Sequence, residues 1–251
     1  MNTVRLTALL TAMLLTIGLA PHGVQAISVV IEISQTDAVK RAFDYTGLGV
    51  QPDVTVSAEA TTVPADDDVP FLRLAGKPAW RVTLDNVRII TRGPDGKAYE
   101  NPNIHRLDVW LDRADGRLLK IISPLPADIG PSAQPTLAER EDWMERGPER
   151  YEGLPPEMPR IDFMRALQSA ADAGGRTTAA KQIEALYVLV RHAVKQDTPY
   201  LPCRNTPCPR WMITCRYVPP GGPHRGHVGF DHDLVRIDAN TGKWFSVGNT
   251  L

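Results

Sequence analysis

The sequence predicts an α+β protein made of two repeated units, each one helix packed on a small antiparallel sheet. Three observations predict it. Pro78-Ala79-Trp80-Arg81-Val82-Thr83 is matched by Pro209-Arg210-Trp211-Met212-Ile213-Thr214. Val109-x-Leu111-Asp112-x-x-x-Gly116 is matched by Val235-x-Ile237-Asp238-x-x-x-Gly242, and each is followed by a short apolar run. Helical spacing of apolar residues precedes each tryptophan segment. Self-similarity of this kind is the signature of a duplicated supersecondary unit.

In chain order, Arg5 and the uncharged stretch Leu6 to Ala20 come first. Pro21 and Gly23 break that stretch, and Val24-Gln25-Ala26 supplies small residues for cleavage. This is the layout of a secretory signal, residues 1–26, with an apolar run shorter than the ~20 residues of a spanning helix. The remaining ~225 residues suffice for one large domain or two small ones. The expected organisation is a first unit over 27–123, a Pro-rich linker over 124–160, and a second unit over 161–251. The linker carries a short helix around Trp143 and Met144.

Ser34-Gln35-Thr36-Asp37 reads as a helix start, with Val39, Ala42 and Phe43 at helical spacing and Gly47 as the stop. A strand follows at Val54 and Val56. The run Asp66-Asp67-Asp68 reads as a solvated loop, a weak calcium candidate. Trp80, Val82 and Leu84 alternate with polar residues as a half-buried strand. Gly93-Pro94-Asp95-Gly96 is a turn, and two further strands run from about His105 to Asp112 and from Leu118 to Ile122. In the second half, Ile183, Leu186, Tyr187, Val190 and Val194 predict a one-sided helix. Trp211, Ile213 and Cys215 predict a strand, and Leu234 to Val247 a hairpin about Asn240-Thr241-Gly242.

Charge excludes some partners. With 28 Lys and Arg against 29 Asp and Glu, the net charge is −1. That offers no footprint for nucleic acid or anionic lipid. No membrane insertion is expected once the signal is removed.

The repeated segments resemble the PepSY domain family. The second hairpin reads Val235-Arg236-Ile237-Asp238-Ala239-Asn240-Thr241-Gly242-Lys243-Trp244. The first reads Val109-Trp110-Leu111-Asp112-Arg113-Ala114-Asp115-Gly116-Arg117-Leu118, with Asp115 where that family usually has threonine. The resemblance covers roughly 34–123 and 161–250, and its motif residues are Trp80, Asp112, Gly116, Trp211, Asp238 and Gly242. It implies a helix on an antiparallel sheet in each unit. It also implies a role like that of PepSY modules in secreted peptidase propeptides, which inhibit the enzyme and assist its folding. With no peptidase sequence after Leu251, the expectation is a free-standing, non-catalytic binding protein, periplasmic or secreted. Its expected partner is a peptide or a secreted peptidase, taken up by strand addition at a sheet edge.

Signatures of zinc peptidases, serine hydrolases, phosphate loops, haem attachment and C-x-x-C redox pairs are absent, so no catalytic residues and no cofactor are expected. Export implies an oxidising compartment. Cys203 and Cys208 flank a short loop and form the favoured disulfide, with Cys208–Cys215 and Cys203–Cys215 as alternatives. Cys215 reads as a buried thiol behaving as a small apolar residue. His224, His227 and His232 crowd one loop with Asp231 and Asp233, a candidate zinc or copper site. Two alternative functions follow: an exported metal-binding protein using that loop, or an envelope assembly or structural factor. His105 and His192 read as structural or surface residues. Trp80 and Trp211 read as core anchors, and Trp110 and Trp244 as a candidate contact patch.

Overall fold

Each helix begins at a side-chain cap. In the computed structural model, which describes residues 32–49, 51–65, 72–124, 149–192, 206–217 and 231–250, α1 (Gln35–Thr46) starts at Ser34, whose Oγ accepts the Asp37 N–H at 3.1 Å. It stops at Gly47, whose N–H donates to Phe43 O. Ala38, Ala42 and Tyr45 are its buried side. Helix α2 (Phe163–Asp172) starts at Asp162, which accepts from Arg165 N at 2.8 Å. Its buried residues Phe163, Ala166, Leu167 and Ala170 fall at i, i+3, i+4 and i+7, the stripe of a helix lying on a core.

The strands are β1 (Thr55–Thr62), β2 (Pro78–Asp85), β3 (Ile90–Arg92), β4 (Ala98–Glu100), β5 (Arg106–Asp112) and β6 (Leu118–Ile122), then β7 (Glu149–Gly153), β8 (Gln182–His192), β9 (Cys208–Tyr217), β10 (Asp231–Asp238) and β11 (Trp244–Thr250). All but β3 and β4 join one antiparallel sheet, in the order β1-β2-β5-β6-β8-β9-β10-β11, with β7 also paired to β8. β3 and β4 form a separate hairpin about the Gly93-Pro94-Asp95-Gly96 turn.

This corrects the expected fold class. There are not two units each with its own small sheet, because β6 pairs with β8 through Ile121↔Ala185 and Ile122↔Glu184. The junction is extended by Ser123, whose N–H donates to Ile183 O and whose Oγ accepts from Ile183 N. The reason lies in burial. Leu118, Leu119, Lys120 and Ile121 of β6 are all buried, so the strand is covered on both faces and sits inside a sheet, paired with β5 on one edge and β8 on the other. The described residues all fall within one compact unit, Ile31–Leu251.

The helix expected over Ile183 to Val194 is a second correction. Gln182–His192 is the central strand β8, and the second helix lies earlier, at α2. Ala185, Leu186, Tyr187 and Val188 are consecutively buried. A strand covered on both faces loses its two-residue alternation, and the remaining apolar spacing imitates a helix. Within the stretch expected as linker, Glu149–Gly153 forms β7.

Both faces of the sheet carry apolar clusters. The first holds the two helices against Val82, Leu84, Val109, Leu111, Tyr187, Trp211, Ile213, Val235 and Ile237. The second holds Val63, Leu74, Trp110, Leu119, Leu186, Val188, Val190, Met212 and Leu234 on the opposite side. The β3–β4 hairpin reaches across to α2. Gln168 donates to Arg92 O at 3.0 Å and accepts from Arg92 N at 2.7 Å, as a neighbouring strand would. Asn101 Nδ2 donates to Thr177 O at 2.7 Å and to Ala180 O at 3.0 Å. Among the described residues no helix is long and apolar enough to cross a membrane.

Candidate strand-addition edge

Among the described residues β1 ends the sheet and pairs on one side only, with β2, from Thr55↔Asp85 to Thr62↔Pro78. Its sequence, TVSAEATT, has small and β-branched residues that suit an extended backbone, and none of its eight residues is buried. Backbone groups of successive strand residues point to alternate edges. Just past β1, Val63 bonds to the β2 side, donating to Lys77 O at 3.0 Å and accepting from Gly76 N at 2.9 Å. The alternation therefore turns the N–H and C=O of Val56, Ala58, Ala60 and Thr62 outward. Among the described residues one of these groups is engaged: Gln35 Nε2 of α1 donates to Ala58 O at 2.8 Å.

The two flanks of this edge differ. On the helix side Ala58 packs against the first apolar cluster, and Val56 is exposed. On the other side Glu59 lies 3.6 Å from Arg81, which also binds Asp108 at 2.7 Å. Asp108 is buried and accepts from Thr83 at 2.8 Å and from Arg106 at 3.1 Å. Burial alone would raise its carboxyl pKa; the hydrogen bonds from Arg81 and Thr83, with Arg81's charge, outweigh that and hold it below the usual carboxylate range. The edge offers backbone donors and acceptors, an apolar flank and, on the other flank, the single carboxylate of Glu59 beside Arg81, a surface open to strand addition.

The motif residues hold matched positions. Trp80 Nε1 donates to Ile33 O at 3.1 Å, and Trp211 Nε1 to Ile161 O at 2.9 Å. Each acceptor stands two residues before its helix. Trp211 is fully buried between Phe163 and Tyr187, whereas Trp80 is half-buried. Asp112 and Asp238 accept from the backbone of their turns, at Ala114 N and at Asn240 and Thr241 N. Gly116 and Gly242, with φ of +71° and +75°, donate to Asp112 O and Asp238 O. These six residues set the hairpins and fix each helix to its tryptophan strand.

The chain bears a weak outside likeness. No protein-family model matches it, and no curated protein does. Among solved structures it is similar to the Bacillus megaterium YpeB C-terminal domain, at 9% identity, over 88% of this chain and 99% of that one, with a TM-score of 0.23. So faint a likeness decides neither fold nor function.

The other sequence candidates divide by position. Cys215 is a buried free thiol on β9, and burial pushes its pKa up, away from nucleophilic reactivity. Cys203, His224, His227, the signal region, the Asp66-Asp67-Asp68 run and the short helix around Trp143 lie outside the described residues, so the Cys203–Cys208 bridge and the histidine cluster do too. His232 is placed only by its backbone, on β10 opposite Arg216 and Thr250. Among the described residues no group of three His, Cys, Asp or Glu side chains could hold a metal ion. The tryptophan patch is split: Trp110 is 3% exposed, with Arg81 and Lys120 near its ring, while Trp244 is 52% exposed at the start of β11. His105 precedes β5, with Nε2 3.0 Å from Pro102 O. A cleft of about 510 Å³ beside α1 is lined by Ile33, Asp37, Lys40, Arg41, Asp44 and Met158. It holds two charges of each sign and no base paired with a nucleophile.

The sequence did show β1 as a strand, through Val54 and Val56. It did not show the engaged carbonyl. A bond from Gln35 to Ala58 crosses 23 positions and exists only once α1 packs beside the sheet.

Proposed function

We propose that this chain is an exported, non-catalytic binding protein that takes an extended peptide segment, such as a segment of a secreted peptidase, as an added strand along β1. The observation that carries the reading is the outward series of backbone groups at Val56, Ala58, Ala60 and Thr62 on an unburied sheet-terminal strand. The export signal at 1–26 and the resemblance of the tryptophan strands and hairpins to PepSY modules support the setting. Glu59 favours a basic residue opposite it, since opposite charges across paired strands attract. The helix-side flank favours an apolar residue at alternate positions.

The test is binding of a fluorescein-labelled eight-residue peptide alternating valine and lysine, followed by anisotropy. Ala60→Pro removes an outward N–H while leaving the β1–β2 bonds in place. Binding lost in Ala60→Pro, with thermal unfolding little changed, supports strand addition. Equal binding by Ala60→Pro and the parent chain refutes it.

A further inference from the structure

Gln35 is the first residue of α1 and is exposed, yet its side chain is committed. Its amide lies 2.8 Å from the outward carbonyl of Ala58, near the middle of the β1 edge. An N–H in that place is what an added strand would supply. The helix start does not depend on it, because Ser34 and Asp37 cap α1 between themselves. The Gln35 side chain can therefore leave while the helix stays formed. Open sheet edges are hazards that proteins commonly blunt, and a side-chain amide blunts this one by occupying a donor position on it.

We infer that Gln35 is a releasable latch on β1: it holds the position of an incoming backbone N–H, and an extended peptide binds by displacing it. This rests on the reading of β1 as the binding edge. Binding exchanges one amide donor for another at the same acceptor. The bond lost from Gln35 offsets the bond gained from the peptide at Ala58, and the peptide keeps the gains at Val56, Ala60 and Thr62. The latch thus sets a threshold: a segment that pairs at Ala58 alone gains only the bond from the Ala58 N–H, and one that pairs along the strand displaces it.

Two variants test this with the same valine–lysine peptide. Gln35→Ala removes the latch, and Gln35→Met removes the donor while keeping the length of the side chain. Both are expected to bind roughly two- to tenfold more tightly than the parent chain, the range of one net hydrogen bond. The peptide carrying an N-methyl group on the residue opposite Ala58 should lose that gain. Unchanged or weaker binding by both variants, in a parent chain whose binding is lost in Ala60→Pro, overturns the latch and leaves the β1 reading standing. No binding by parent or variants overturns both.

Discussion

Gly47 ends α1 against the carboxylate of Asp162, the residue that caps α2. Its φ is +66°, and a Cβ there would lie 2.1 Å from Asp162 Cγ. The stop of one helix and the start of the other are thus fitted together at a residue with no side chain. Gly47→Ala is expected to destabilise the protein by about 2 kcal/mol or more, from the left-handed backbone and the displaced α2 cap together. Urea denaturation measures it, and a loss under ~0.5 kcal/mol would show the cap to be dispensable.

Asn101 is buried and its amide spans the gap between the β3–β4 hairpin and the loop after α2, while its Oδ1 accepts from Asn103 N at 2.8 Å. Asn101→Ala leaves the Thr177 and Ala180 carbonyls without this donor. A cost of about 2–4 kcal/mol is expected from the unmet groups. The midpoint of urea unfolding reads it, with Gln168→Ala, at the exposed Arg92 backbone, expected to cost less.

Asp108 makes stability depend on acid. Its folded pKa is depressed, so its contribution is present above the unfolded carboxylate value of about 4 and is lost as pH falls through the folded value. Unfolding free energy measured from pH 6 down to pH 2 should fall in the parent chain, with Asp108→Asn falling less steeply. Parallel curves would refute the assignment.

Cys215 should resist thiol reagents in the folded protein, because burial disfavours its thiolate. Unfolded without reductant, the chain should react at one thiol if Cys203 and Cys208 are bridged. Three reactive thiols would rule out that bridge.

What the sequence made legible was local. The alternation of Trp80, Val82 and Leu84 and the turns ending in Gly116 and Gly242 depend on neighbours a few residues apart, and they form β2, β5, β6, β9, β10 and β11. The α2 stripe of Phe163, Ala166, Leu167 and Ala170 after Asp162 was equally local, but the longer apolar run of β8 drew the helix assignment instead. Sheet membership was not legible. Whether two sets of strands share one sheet is decided where Ile121 meets Ala185, and no periodicity within either segment encodes the other. β1 was readable as a strand, but the hold of Gln35 on Ala58 required the packed helix.

The meeting of β6 with β8 also bears on how the chain assembles. Hairpins β5–β6 and β10–β11 close across short turns, while Ser123 and Ile183 stand 60 residues apart. Closing the longer loop costs more chain entropy and is rewarded only after both flanks exist. The seam is therefore expected to close late in folding, and until it closes Leu118, Leu119 and Ile121 are open to the wrong neighbour. A chain crossing a membrane before it folds would be most exposed to misassembly in that interval.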